Sequence, residues 1–234
     1  MTTAMILAAG RGERLRPLTD TTPKPLISLG RETLIERHIR RLHLAGINQI
    51  VINTAWLGEK IEQHLGNGSQ YGVQIRYSRE TNGCLETAGG IATALPLLGD
   101  NPFIVVNGDI FCDIDFNLVK NQLLTLKENP QIKAHLWLVE NPPHHPNGDF
   151  SIDNNLLQKD GTPKYTFSGV AVYRPEFFNS VLPNVKRALA PLLFAAAEEQ
   201  QITASMMTEY WLDVGTVERL EIARQKSADE WQKK

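Results

Sequence analysis

Between Met5 and Val106, short apolar runs alternate with stretches of helical periodicity. The runs are Met5-Ile6-Leu7-Ala8-Ala9, Asn48-Gln49-Ile50-Val51-Ile52, Val73-Gln74-Ile75-Arg76-Tyr77 and Phe103-Ile104-Val105-Val106. Each has the length of a strand. Between them, residues 33–45 put Leu34, Ile35, Ile39 and Leu42 on one helical face ahead of Gly46. Residues 57–65 make a short amphipathic helix closed by Gly66, and residues 91–98 read as a helix that begins after Gly89-Gly90. That rhythm predicts an α/β fold, a Rossmann-like mixed, mainly parallel sheet flanked by helices. In such sheets ligands sit beyond the carboxyl ends of the strands, where Gly10, Gly12 and Asp109 fall.

The second half adds a helix at 118–126, strands at 134–139 and 166–173, a helix over most of 188–199 despite Pro191, and a closing amphipathic helix at 216–231. A polar stretch rich in Pro and His, 140–149, leads into Phe150-Ser151-Ile152. No linker composition divides the chain and no hexapeptide repeat announces a β-helix. Residues 1–234 therefore read as one domain without a C-terminal β-helix domain.

The first apolar run opens into Gly10 and Gly12, then Arg11, Arg14, Arg16 and Lys24, opposed only by Glu13 and Asp20. Glycine lets backbone N–H groups approach a bulky anion. Pro17, Pro23 and Pro25 shape the segment as a loop. The whole chain has net charge −2, so these cations are a local feature. They favour a small polyphosphate over nucleic acid or a membrane surface. A P-loop would need Lys-Ser/Thr after Gly12, where Glu13-Arg14 stands, and the dinucleotide fingerprint would need glycine where Leu15 stands. A solvated basic turn after an edge strand would carry the same residues.

Asn107-Gly108-Asp109 follows a buried run, and Asp213 sits in Tyr210-Trp211-Leu212-Asp213-Val214-Gly215-Thr216. Either carboxylate alone also reads as a turn or helix cap. Two carboxylates facing a polybasic loop suit a metal–triphosphate site. Cys84 and Cys112 form no Cys-x-x-Cys pair and fit a reducing cytoplasm. No apolar run reaches membrane-spanning length, and Met1-Thr2-Thr3 leads straight into the first strand, so a cytoplasmic location is expected.

Together these motifs resemble the sugar-1-phosphate nucleotidyltransferases. The resemblance rests on Leu7-Ala8-Ala9-Gly10-x-Gly12-x-Arg14-Leu15-x-Pro17-Leu18-Thr19 with Pro23-Lys24-Pro25, and on Leu85-Glu86-Thr87-Ala88-Gly89-Gly90. Asn107-Gly108-Asp109 and Trp211-x-Asp213-Val214-Gly215-Thr216 follow in order, so it spans nearly the whole chain. Ala55-Trp56-Leu57-Gly58, Leu85-Glu86-Thr87, Asn141-Pro142-x-His144-His145-x-x-Gly148-Asp149-Phe150, Phe167-Ser168-Gly169 and Leu189-Ala190-Pro191-Leu192-Leu193 resemble most the uridylyltransferases of N-acetylmuramate 1-phosphate.

The resemblance implies the nucleotide-diphospho-sugar transferase fold and transfer of a nucleotidyl group, UMP from UTP, to a sugar 1-phosphate in peptidoglycan recycling. Mannose-1-phosphate guanylyltransferase, glucose-1-phosphate thymidylyltransferase and a catalytically silent nucleotide-sugar sensor are the alternatives. It implies that Ala9, Gly10 and Gly89 approach base and ribose, with Glu80 at the base edge. Gly12, Glu13 and Arg14 would wrap the triphosphate, Arg14 and Lys24 would be catalytic, and Asp109 and Asp213 would hold Mg²⁺. Asn107, Asp149 and Gly169 would hold the sugar phosphate. Where many relatives carry Glu-Lys-Pro, this chain has Glu140-Asn141-Pro142 and lacks that lysine. Lys186 and Arg187 are candidate partners for a lactyl carboxylate. His144-His145 is expected to serve a sugar-pocket loop rather than a metal, because adjacent strand residues face apart.

Overall fold

Strand β1 (Thr3–Leu7) sorts the core into two layers, because alternate side chains leave a strand on opposite faces. Ala4 and Ile6 belong to one apolar cluster and Met5 to another, all with no exposure. The computed structural model describes residues 2–81 and 83–232. After β1 come α1 (Leu18–Thr21), α2 (Leu34–Leu44), β2 (Gln49–Thr54), α3 (Gly58–Leu65), β3 (Gln74–Arg79), α4 (Glu86–Leu98) and β4 (Phe103–Asn107). Then follow β5 (Ile110–Cys112), α5 (Phe116–Glu128), β6 (Ala134–Val139), β7 (Ser151–Asp153), β8 (Leu156–Gln158) and β9 (Thr166–Tyr173). The chain closes with α6 (Ala190–Glu198), β10 (Ile202–Met206), β11 (Trp211–Asp213) and α7 (Val217–Gln232).

Among the described residues, nine strands form one sheet in the order β3-β2-β1-β4-β9-β6-β10-β8-β7. The pairs among β1 to β4 are parallel, as is β6 with β10, while β9 runs antiparallel between β4 and β6. This is the expected mixed sheet. Helices α2, α3 and α5 cover the face of Ala4 and Ile6, and α4 and α6 cover the face of Met5. Because β2 and β4 flank β1, the connections leave β1 in opposite directions, which opens a crevice at its carboxyl end.

The predicted helices and strands of the first half all form, with boundaries within two residues except at one helix. Helix α4 begins at Glu86, not at Ile91, and takes in Gly89 and Gly90. Glycine costs a helix roughly 1 kcal/mol, yet side chains at these positions have no room. A Cβ on Gly89 would lie 2.3 Å from the Val185 carbonyl oxygen, and one on Gly90 2.6 Å from Glu80 Oε1. The sequence pattern does not announce strands β5, β7, β8, β10 and β11. Four of them are three residues long, too short to show a period.

A third apolar cluster joins Leu15 and Leu34 to Phe111 on β5, Val214, and Leu220 and Ala223 on α7. Arg37 of α2 is fully buried beneath it. Its guanidinium lies 3.9 Å from the Phe111 ring centre, 2.5 Å from Asp113 Oδ1 and 2.7 Å from Glu230 Oε2. The C-terminal helix is thereby fastened to the strand pair β5–β11, which carries Asp213 and directly follows Asp109.

Candidate active site

A cleft of about 330 Å³ opens at the carboxyl ends of β1, β2 and β4. It is lined by residues 7–10, 12–14, Lys24, Pro25, Asn53, Cys84, Glu86, Thr87, residues 107–109 and Gly215. That volume suits a nucleotide-sized ligand. Two glycines allow its walls to meet. Gly12 has φ +72°, and a Cβ there would stand 2.9 Å from Thr19 Cγ2 and 3.1 Å from Lys24 Cβ. Gly108 crosses the end of β1, donating its N–H to Leu7 O at 2.9 Å, and a Cβ would lie 2.6 Å from that oxygen.

The loop cations divide into two kinds. Arg11 pairs with Glu13 and Asp20 and stacks 3.7 Å from the Trp56 ring centre, and Arg16 pairs with the same two carboxylates. These two are neutralised by carboxylates and are not among the lining residues, unlike the sequence expectation of four converging cations. Lys24, buried, donates from Nζ to Asp109 Oδ2 at 2.7 Å. Arg14 lines the cleft and has no carboxylate partner among the described residues. Its guanidinium lies over Gly215, where a Cβ would meet Nη2 at 3.0 Å. An unpaired guanidinium and a buried ammonium at strand ends form a receptor for phosphate oxygens.

The two carboxylates expected to share a metal are neighbours in the backbone. Val214 donates its N–H to Asp109 O at 2.8 Å, and Asp213 is in register with Ile110. Their side chains differ in setting. Asp109 lines the cleft with Oδ1 free of protein donors among the described residues. Asp213 is not among the lining residues. Its Oδ2 accepts from Arg219 Nη2 at 2.9 Å, while its buried Oδ1 lacks an aligned donor although His144 Nε2 lies 2.9 Å away. A buried carboxylate oxygen without a donor is costly unless a cation takes it.

Asn107, Asp149 and Gly169 gather around β9. Gly169 has φ +82°, and a Cβ there would strike Asn107 Nδ2 at 2.6 Å, so the asparagine side chain lies against the glycine. Asp149 Oδ2 accepts from Phe167 N at 2.8 Å and Oδ1 faces His145 Nε2 at 2.9 Å. Asn107 lines the cleft, whereas Asp149 and Gly169 are not among its lining residues. His144 and His145 lie in a turn, not in a strand, and serve different carboxylates, Asp213 and Asp149. Among the described residues no group of three His, Cys, Asp or Glu could hold a metal by itself. Asn141, at the place of the missing lysine, fastens its own loop by bonds to Pro146 O, Lys164 O and Thr166 Oγ1.

Two of the residues expected at the nucleotide are not in that lining. Glu80 is buried behind the wall, accepting from Asn53 Nδ2 and Leu85 N, both at 2.7 Å, and burial raises its pKa. Gly89 is inside α4, its N–H donating to Arg187 O at 3.1 Å and its open side filled by Val185. Sequence reasoning missed Asn53 and Arg219, whose neighbours come from distant segments, and set aside Cys84, which is an exposed thiol of the cleft lining.

The family model described as "Nucleotidyl transferase" matches residues 3–230, almost the entire chain. The chain belongs to the nucleotidyl transferase family. This nucleotidyltransferase is 54% identical over 224 residues to the N-acetylmuramate alpha-1-phosphate uridylyltransferase of Neisseria meningitidis serogroup B, covering 94% of this chain and 96% of the relative. It is 29% identical over 92% of its length to the mannose-1-phosphate guanylyltransferase catalytic subunit beta of Drosophila pseudoobscura pseudoobscura, of which the match spans 59%. Among solved structures, HddC from Yersinia pseudotuberculosis complexed with GMP-PN superposes with a TM-score of 0.77 at 19% identity, over 97% of this chain and 100% of that one. A Bacillus anthracis chain solved with a sucrose gives a TM-score of 0.85 at 22% identity, over 98% and 96%. Both structures share the fold of this nucleotidyltransferase. Among the described residues no helix is long and apolar enough to cross a membrane.

Proposed function

We propose that this nucleotidyltransferase transfers UMP from UTP to N-acetylmuramate 1-phosphate, forming the UDP-sugar and pyrophosphate in cytoplasmic peptidoglycan recycling, as a single domain over residues 1–234. The observation that carries the chemistry is the cleft itself, where unpaired Arg14 and buried Lys24 face open Asp109. The choice of substrates rests on the similarity to the Neisseria uridylyltransferase.

Both reactants are anions, so the barrier is dominated by their repulsion and by their alignment. An oxygen of the sugar phosphate attacks the α-phosphorus in line, and pyrophosphate departs. That oxygen is already ionised at neutral pH, so no general base is needed. Arg14 and Lys24 neutralise the charge that gathers on the α-phosphate and leaving group, a preorganised effect realised in the transition state. Ala9 and Gly10 border the nucleoside, Gly12 and Glu13 the triphosphate. Asn107, placed by Gly169, receives the sugar phosphate, and Asp149 holds the adjoining loop. Arg187, whose side chain has no ion pair among the described residues, is the partner assigned to the lactyl carboxylate.

Asp109 and Asp213 each keep one oxygen without an aligned protein donor, and this donor set suits Mg²⁺, which takes one or two carboxylates beside substrate phosphates. When bound, Mg²⁺ supplies charge neutralisation at the triphosphate. Arg219 shares Asp213 and tempers its charge.

A matrix of four nucleoside triphosphates against several sugar 1-phosphates, read by pyrophosphate release, tests the proposal. UTP with N-acetylmuramate 1-phosphate is expected to give the highest kcat/KM. A better rate for GTP with mannose 1-phosphate overturns the substrate pair, and no release from any pair overturns the chemistry.

A further inference from the structure

Strand β10 alternates. Ile202 and Ala204 join the apolar cluster that α4 and α6 cover, so Thr203 and Ser205 leave the sheet on the face of α5. His135 of β6 is in register with Thr203, and its ring lies 4.5 Å from that of Trp137, centre to centre. The apolar packing of α5 ends at Leu126. There a second cavity, of about 310 Å³, opens between the end of α5, β6, β10 and the β7–β8 turn, and it shares no lining residue with the cleft. Its walls are braced by the protein alone. Arg174, just past β9, donates from Nε to Ile132 O at 3.0 Å, from Nη2 to Leu126 O, and from its backbone N–H to Lys133 O at 2.8 Å. Asn155 O accepts from Ala204 N at 2.9 Å, which fastens the β7–β8 turn to β10.

The polar groups of this cavity are left unused by the protein. His135 is 4% exposed, and its Nδ1 meets Thr203 Oγ1 at 2.8 Å. Its Nε2 has no hydrogen-bond partner among the described residues and is not fully enclosed, so the ring's small exposure includes it. His135 lines the cavity, and Nε2 surfaces there. The side chains of Gln122, Thr125, Asn155 and Ser205 also line it without a hydrogen-bond partner among the described residues. No lining residue is a lysine, arginine, aspartate or glutamate, and burial keeps His135 neutral at pH 7. A phosphate or carboxylate would therefore lose its water here without gaining a cation. A nucleobase would find no ring face to stack on, because His135 is almost wholly buried. Amides and hydroxyls that both donate and accept match sugar hydroxyls, which do the same. Leu126 and Ile132 supply an apolar side for the C–H face of a pyranose. We infer that this cavity is a binding site for an uncharged sugar ring, separate from the active-site cleft. The inference does not depend on the transfer reaction proposed above.

The test is a titration of the isotope-labelled protein with N-acetylglucosamine, glucose and glucuronate, read from the chemical shifts of assigned amides, for wild type, Q122A and S205F. In wild type both neutral sugars are expected to give saturable shifts at residues 122–129, at His135 and at residues 203–205. Glucuronate, which differs from glucose by its carboxylate, is expected to bind at least tenfold more weakly, since no lining cation receives it. S205F fills the cavity from its floor and should abolish these shifts. Q122A removes an amide that the protein does not use, at a helical position where alanine is the best helix former, so it keeps the fold. Its affinity for the neutral sugars should fall about fivefold, the scale of one lost hydrogen bond. Shifts absent from the lining or confined to the active-site cleft overturn the inference. So does glucuronate binding as tight as that of glucose, or wild-type affinity in both variants. Q122A decides alone should S205F fail to fold.

Discussion

Lys24 Nζ lies 2.7 Å from Asp109 Oδ2, and the lysine side chain is 9% exposed while the carboxylate side chain is 42% exposed. This asymmetry decides what the pair does. Loss of Lys24 leaves Asp109 in water, so little stability depends on the contact. Its place at the strand ends matters for the reaction. K24M is expected to lower kcat by roughly 10²–10³-fold, the scale of losing one oxyanion donor. Its urea midpoint should stay near that of wild type. Pyrophosphate release and an unfolding curve on the same preparation check both parts.

Arg14 differs from Lys24 in having no protein partner among the described residues, so its full charge is available to a ligand. R14A is expected to lose roughly 10²–10³-fold in kcat/KM. R14K should recover only part, because an ammonium cannot reproduce the planar fork that binds two phosphate oxygens. Full recovery by R14K would show that charge alone suffices there.

Asp213 is shared between Arg219 and an oxygen without an aligned donor. D213N should raise the Mg²⁺ concentration needed for half-maximal rate about tenfold or more, with smaller effect at saturating metal. R219Q should move the metal requirement in the opposite sense, since it leaves Asp213 more available. Metal titrations of the three proteins distinguish this from a purely structural Asp213, for which saturating metal would restore nothing.

Arg37 is fully buried between Asp113, Glu230 and the Phe111 ring. R37A removes a large side chain and unpairs two half-buried carboxylates, and is expected to cost about 3 kcal/mol. Because this contact ties α7 to the strand pair carrying Asp213, Asp213-dependent metal use should weaken before the sheet melts. Chemical denaturation and a metal titration below the transition measure the two effects.

Acid should destabilise the fold through buried histidines. Burial lowers the pKa of His38 and of His135 to about 4 from 6.5. Above pH 6.5 both states are neutral and the contribution is complete. As pH falls from 6.5 towards 4, the unfolded chain takes up protons that the folded chain refuses, and stability declines by roughly 1.4 kcal/mol per pH unit per histidine at most. Glu80 and Asp113, raised by burial, act with the opposite sign. The difference between wild type and H135Q therefore isolates one histidine, and it should shrink as pH falls from 6.5 to 5.

Much of this molecule is legible in its residues, for identifiable reasons. The β1 run and its glycine loop stand out because a buried parallel strand must be apolar and must end where the backbone turns. Asn107-Gly108-Asp109 stands out for the same reason. Helix α4 misled at its start because Gly89 and Gly90 look like breakers until Val185 and Glu80 are seen pressing on them. Asn53 is silent in sequence, since its meaning comes from parallel register with β1, 45 residues away. Arg37 looks like a surface charge until α7 returns Glu230 to it, 193 residues later. Short-range pattern finds strands, turns and loops, and misses side chains whose partners arrive with the tertiary fold.

Asp109 tests the account most directly, because it joins the basic loop to the proposed metal and lines the cleft. The measurement is pyrophosphate release from UTP and N-acetylmuramate 1-phosphate with Mg²⁺, for wild type and D109A, beside their melting curves. The account predicts turnover by wild type, its near-abolition in D109A, and similar melting of the two proteins. Wild-type turnover in a folded D109A would contradict it.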